Sequence, residues 1–226
     1  MTPPATAPLR FDGQATLLVA AGLAVFFSAG LGAGWMLERY DAGVGFSREA
    51  ARIAEVLELA PGTSVGDIRA GTGRWTVDMA RRVGPEGQAF ATAGPDPAHV
   101  LMATVAASGL DNVTVITRTP ADLPRLPLAC CDAVLLRRVY SDLQRERPGF
   151  LESLKRVTRP GALVAVIEFH PDAPTGPPRD TLPRREVIAE FTAAGFALVQ
   201  DHERWFGNTY CVVLRRAADQ GTIPAR

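Results

Sequence analysis

The sequence predicts an α/β fold on a mostly parallel, seven-stranded sheet, and three observations carry that prediction. Short apolar runs alternate with helical patterns from Ser64 to Arg216. Breaks such as "PGTS" at 61–64 and Gly84 separate them. The last two apolar runs follow one another with little between them. Alternating strands and helices build a parallel sheet covered on both faces, whereas a short link leaves no room for a crossover and makes the last strand antiparallel to its neighbour.

A short tail, 1–14, comes first. From Ala15 to Leu37, "ATLLVAAGLAVFFSAGLGAGWML" carries no charge. As a helix it is about 34 Å long, enough to cross a bilayer core, and it reads as one transmembrane helix. A cleaved signal peptide has a shorter apolar core and a basic start, while only Arg10 precedes this run. Gly30 and Gly34, beside Ala29 and Ala33, leave one face without bulk. Such a face lets another membrane subunit's helix approach, or it reflects a Gly- and Ala-rich composition. Trp35 and Tyr40 fall where aromatic anchors meet the interface. Arg39, Arg48 and Arg52 follow the span, a count that leans toward a cytoplasmic globular domain and leaves the side open. The expected location is a membrane, single-pass, of the bacterial inner-membrane type.

A Gly-containing connector, 38–46, leads to Ser47 as N-cap of a helix to Leu59, with Ile53, Val56, Leu57 and Ala60 on one side. The globular domain is expected over 47–216, followed by a tail, 217–226. Its strands are Ser64–Ile68, "QAFATA", "NVTVIT", "CDAVLLRR", "GALVAVIEF", "ALVQDHERW" and "YCVVLRR". Its helices are "RWTVDMARRVG", "PAHVLMATVAASG", "RPGFLESLKRVT" and "RREVIAEFTAAGF". Cys130, Cys131 and Cys211 match no zinc spacing and read as small core residues. Acidic and basic residues balance at 24 each, so no overall field draws nucleic acid.

Three stretches carry a family resemblance. "VGDIRAGTGRWTVDMARRVGPEGQAF", "CCDAVLLRRVYSDL" and "LKRVTRPGALVAVIEFHPD" resemble the first motif, fourth strand and fifth strand of class I S-adenosylmethionine-dependent methyltransferases. "REVIAEFTAAGFALVQ" is similar to that family's closing helix and hairpin. The resemblance covers about three quarters of the chain and implies a Rossmann-like methyltransferase fold with the cofactor across the carboxyl ends of the first strands.

The resemblance also says where the cofactor contacts should lie. The first turn should run acid, any residue, then three alternating glycines. Asp67, Gly71 and Gly73 match, and Arg69 stands where a glycine is expected. A guanidinium there either fills the methionine end of the pocket or pairs with the cofactor's carboxylate. The acid that grips both ribose hydroxyls falls on Ala93; losing hydrogen bonds to a charged group there weakens binding on the order of a hundredfold. Asp96 replaces it only if the intervening loop folds back. The residue that meets the adenine is Thr119, with Asp122 further along.

Groups for chemistry are few. His170, after the fifth strand, and Tyr140, after the fourth, are the weak catalytic candidates, with plain loop roles as the alternative. His99 and His202 read as surface residues. The loop "HPDAPTGPPRDTLPR" is longer than a routine connection and reads as a lid or an arm laid on a neighbour. A nicotinamide-binding turn lacks its third glycine and its distant acid, and the sequence offers no metal cluster, no nucleophile elbow and no basic aromatic stripe. The expectation is a membrane-anchored, methyltransferase-like protein that has lost its cofactor and serves as an accessory or scaffolding subunit of a membrane complex. The alternative is an active membrane-tethered methyltransferase that uses S-adenosylmethionine on a lipid, quinone or other hydrophobic small molecule.

Overall fold

The computed structural model describes residues 43–117, 126–172 and 181–218. Two compact units divide after Ser47, and only 43–47 of the first are described. The expected transmembrane helix, its Gly30/Gly34 face and the interfacial aromatics lie outside the described residues. Among those residues, no helix is long and apolar enough to cross a membrane.

Helix α1 covers 43–56. Ser47, expected as its N-cap, lies inside it and donates to the Gly43 carbonyl 3.0 Å away. Residues 43–46, expected as connector, are therefore helical. The glycines behind that expectation are weak helix formers, but propensity over four residues is a weak prior. Ile53, Val56 and Leu57 of α1 are buried as the spacing predicts, while Ala60 is exposed beyond the helix end.

From there the strands and helices alternate: β1 (Ser64–Ile68), α2 (Arg74–Val83), β2 (Gln88–Ala93), α3 (Pro95–Ser108), β3 (Val113–Thr117), β4 (Cys131–Arg137), a 3-10 turn (Ser141–Glu146), α4 (Arg147–Val157), β5 (Thr158–Phe169), α5 (Arg184–Ala193), β6 (Phe196–His202) and β7 (Thr209–Arg216). They form one seven-stranded sheet in the order β3-β2-β1-β4-β5-β7-β6. Pairing is parallel from β3 through β5, and β7 runs antiparallel to both its neighbours. The short link between the last two strands dictated that reversal.

Alternate residues of the central strands feed opposite layers, as a pleat requires. Val134 and Leu136 of β4 join Val164 and Val166 of β5 beneath Phe150, Leu154 and Phe191 from α4 and α5. Ala133 and Leu135 join Ala165 and Ile167 against Leu57 and Met79 from α1 and α2. All three cysteines are buried and unbridged, so their expected place in the core is what the structure shows. Because β1 pairs with β2 on one side and β4 on the other, the chain direction of the windings reverses there. Open α/β sheets bind ligands in a crevice outside the carboxyl edge at such a switch point, so the candidate site is expected there.

Candidate functional site

One wall of the crevice is the turn between β1 and α2. Asp67, 3 % exposed, accepts a 2.5 Å hydrogen bond from the Thr76 hydroxyl of α2. Burial pushes its carboxyl up to about 6, against the lowering influence of Thr76 and Arg137. Arg69 follows in the left-handed region, φ 56. That conformation costs a side-chain-bearing residue about 1 kcal/mol. Thr92 of β2 holds it in place: its hydroxyl accepts from the Arg69 N–H at 2.9 Å and its carbonyl from the Ala70 N–H at 2.8 Å. The turn therefore has a glycine's geometry with an arginine in it.

Gly73 is required for a second reason. Its φ is 81, and a Cβ there would lie 2.5 Å from a methyl of Leu101 in α3. Gly71 also has positive φ but faces open space. The Arg69 guanidinium points away from the turn to Asp142, 3.4 Å away in the 3-10 segment after β4, with both side chains about half exposed. It spans the crevice at its surface instead of filling it from within.

The other wall, after β4, is held by buried carboxylates. Glu168 of β5, 1 % exposed, accepts from the backbone N–H groups of Val139 (2.8 Å), Tyr140 (2.7 Å) and Ser141 (3.3 Å) and from the Ser141 hydroxyl (2.7 Å). Burial raises its pKa and these four donors oppose the rise. Arg137, at the end of β4, makes a two-pronged pair with Glu49 of α1, both contacts 3.1 Å, and lies 4.5 Å over the Trp75 ring. Sequence reasoning named neither Glu168 nor Glu49. The available signal was a lone acid within the apolar run "GALVAVIEF", since an acid is buried only where donors await it.

Tyr140, the candidate after β4, is packed into the core. Its ring is fully buried against Phe150 and Phe191, and its hydroxyl donates to Glu190 of α5 at 2.6 Å. Burial first, then Glu190, pushes its pKa far above the usual range. Its position after β4 drew attention to it, but its side chain turns into the core. His170 directly follows β5, with its backbone N–H donating to the Asn208 carbonyl at 2.8 Å and its ring edge-on to Tyr210 at 6.1 Å. His99 is exposed on α3, whereas His202 is half-buried, stacked on Trp205 and bonded to Gln200.

The expected ribose position lies at the end of β2. β2 closes on Ala93, Gly94 caps α3, and residue 96 already lies in the first turn of that helix. The folded-back loop that Asp96 needed is therefore replaced by the helix start. Thr119 and Asp122 lie outside the described residues. The turn around Arg69 fits an adenosine cofactor of the family in backbone shape; the end of β2 does not, because Ala93 offers no acceptor side chain. Among the described residues the side chains around it supply no evident nucleophile. The hydroxyls of Thr76, Ser141 and Tyr140 are each bound to a carboxylate. Among the described residues no His, Cys, Asp and Glu cluster could hold a metal.

No family model matches the chain, and no curated protein does. Solved structures do. A SAM-dependent methyltransferase from Aquifex aeolicus is 25 % identical, covering 74 % of this chain and 88 % of its own, with a TM-score of 0.64. The fold is that of the class I S-adenosylmethionine-dependent methyltransferases. A Burkholderia thailandensis 1,6-didemethyltoxoflavin N1-methyltransferase, with S-adenosylhomocysteine bound, is 17 % identical over 95 % of this chain and 94 % of its own, with a TM-score of 0.61. The cyclase SpnF, 16 % identical, matches 76 % of this chain and 80 % of its own at a TM-score of 0.61. A methyltransferase fold that is also found in a protein named as a cyclase does not set the reaction, so function has to be read from the crevice.

Proposed function

We propose that the domain keeps the methyltransferase frame without holding S-adenosylmethionine, and that it serves as an accessory or scaffolding subunit of a membrane complex, of respiratory or photosynthetic type. The observation that carries this reading is the end of β2, where the position expected to grip the ribose is Ala93, which has no acceptor side chain, and the chain leads through Gly94 straight into α3. The Arg69–Asp142 bridge across the crevice supports it. So do the three hydroxyls engaged by carboxylates. In this reading the run 15–37 anchors the chain in the bilayer, and its Gly30/Gly34 face meets neighbouring membrane subunits.

One observation favours a second reading. Arg69 preserves the left-handed turn and its guanidinium is half exposed, so it is free to leave Asp142 and pair with the carboxylate of a cofactor. The protein is then a membrane-tethered methyltransferase acting on a hydrophobic small molecule. Titration calorimetry of the full chain in mild detergent separates the two. No heat with millimolar S-adenosylmethionine is the expected result, and micromolar binding overturns the first reading. Purification under the same conditions tests scaffolding: a chain that runs alone as a monomer, with no partner retained, removes that half of the proposal.

A further inference from the structure

Away from the crevice, a hollow of about 500 Å³ lies between one face of α1 and the turn that joins β6 to β7. That volume is in the range of small-ligand pockets. Arg48, Arg52 and Glu55 line it from α1, at the three- and four-residue spacing that shares one helix face. His202, Arg204 and Trp205 line it from the other side, with Phe206 beyond them.

The charges do not balance. Glu55 is engaged by Arg52 at 2.5 Å, and Asp201, next to His202, is engaged by Arg184. Glu203 is exposed and is not part of the lining. Arg48 and Arg204 have no carboxylate within ion-pairing distance among the described residues. Two guanidiniums on opposite walls of one hollow repel each other, and an anion between them relieves that repulsion. In the aromatic wall, Trp205 lies tilted against the His202 ring at 5.2 Å and edge-on to Phe206 at 5.5 Å. The buried indole N–H of Trp205 has no acceptor among the described residues.

We propose that this hollow binds a phosphate-bearing anion, its oxygens held by Arg48 and Arg204 and its organic part laid on Trp205 and Phe206. Phosphate fits better than a single carboxylate because it offers several oxygens to planar forks that approach from two sides, and it carries charge enough for both. His202 responds to occupancy. Burial first, then Arg52, holds its imidazole below the usual range, with Asp201 and Glu55 acting the other way. A seated anion adds to that opposing influence and moves the imidazole back up.

The test uses the full chain in neutral detergent, titrated by calorimetry with inorganic phosphate and with glycerol 3-phosphate, while the carbon-13 signal of His202 is followed by NMR. Binding of at least one probe, with the His202 titration moved to higher pH, is expected. Arg48→Gln and Arg204→Gln should each weaken binding about tenfold, one charge-assisted contact's worth. Arg81→Gln, on the exposed surface of α2, should leave it unchanged. Near-ultraviolet dichroism checks that each variant is folded, and Arg204→Lys, which keeps the charge on an exposed turn, should lose less than Arg204→Gln. The source of the phosphate is then read by placing the chain in nanodiscs of phosphatidylcholine with and without phosphatidylglycerol. Competition between phosphatidylglycerol and glycerol 3-phosphate assigns a lipid headgroup, and its absence assigns a soluble phosphate. Silence toward both probes together with no effect of phosphatidylglycerol on His202 overturns the proposal. So does binding that survives Arg48→Gln and Arg204→Gln, or that falls equally in Arg81→Gln.

Discussion

The turns after β1 and β4 face each other across one crevice and are held in opposite ways. After β4, Glu168 binds three backbone N–H groups and the Ser141 hydroxyl, and Arg137 is bound by Glu49; both carboxylates are buried. After β1, the turn keeps its shape through Thr92, and its arginine reaches the far wall by one half-exposed ion pair. The first arrangement is expensive to break because it leaves charge and donors unpaired out of water. The second is cheap, since exposed pairs contribute about 1 kcal/mol at most. One side of the site is thus held by buried, multiply bonded carboxylates and the other by a single exposed strap.

The largest expected effect tests the rigid side. Glu168→Ala leaves two buried N–H groups, one part-buried N–H and a hydroxyl without their acceptor, and should lower the unfolding free energy by about 3 kcal/mol or more in urea denaturation. Glu168→Gln keeps one acceptor oxygen and should fall between the variant and the parent. A loss under about 1 kcal/mol for Glu168→Ala would mean that water replaces the carboxylate freely, and the contrast between the two turns would disappear.

These two turns also mark how far the sequence could be read. The sheet was legible because strand and helix periodicities differ, and the antiparallel last strand because its link is short. Arg69 was legible as a departure from a glycine pattern, but its outward path to Asp142 was not, since nothing local says which way a long side chain leaves a left-handed residue. The place of Tyr140 after a strand is written in the chain, while its inward rotamer is decided by distant partners, here Phe191 and Glu190. Glu168 was overlooked although its isolation among apolar residues is a signal; what it binds, the backbone after β4, lies 27 to 29 residues away in the chain.

A comparable effect comes from pH. Asp67 has its folded pKa raised from 3.8 to about 6 by burial. A raised acid favours the folded state while both states are protonated. That advantage is lost as pH climbs through the window, because the unfolded chain releases its proton first. From about pH 4 to pH 6 this one group should therefore remove on the order of 3 kcal/mol of stability. Asp67→Asn cannot titrate, so the stability difference between variant and parent should move in the variant's favour across that window. Chemical denaturation at several pH values measures it. A difference that stays flat would show that Thr76 and Arg137 fully offset the burial, and would place Asp67 with the well-satisfied carboxylates of the opposite wall.

The smallest expected effect decides what the Arg69 bridge is for. Arg69→Gly removes an exposed ion pair worth under about 1 kcal/mol and relieves a left-handed residue by about the same amount, while the glycine adds freedom to the unfolded chain. These contributions nearly cancel, so stability should change by less than about 1 kcal/mol, with Asp142→Asn smaller still. A weak strap cannot by itself exclude a cofactor that gains several charge-assisted contacts, so Arg69→Gly alone should not restore binding of S-adenosylmethionine if the missing grip at Ala93 is the cause. Arg69→Gly combined with Ala93→Asp should restore it, measured by calorimetry, because the acid then stands at the end of β2 beside an open turn. Restoration by Arg69→Gly alone would assign the block to the guanidinium, and would show that the loosely held wall, not the stripped one, sets what the crevice accepts.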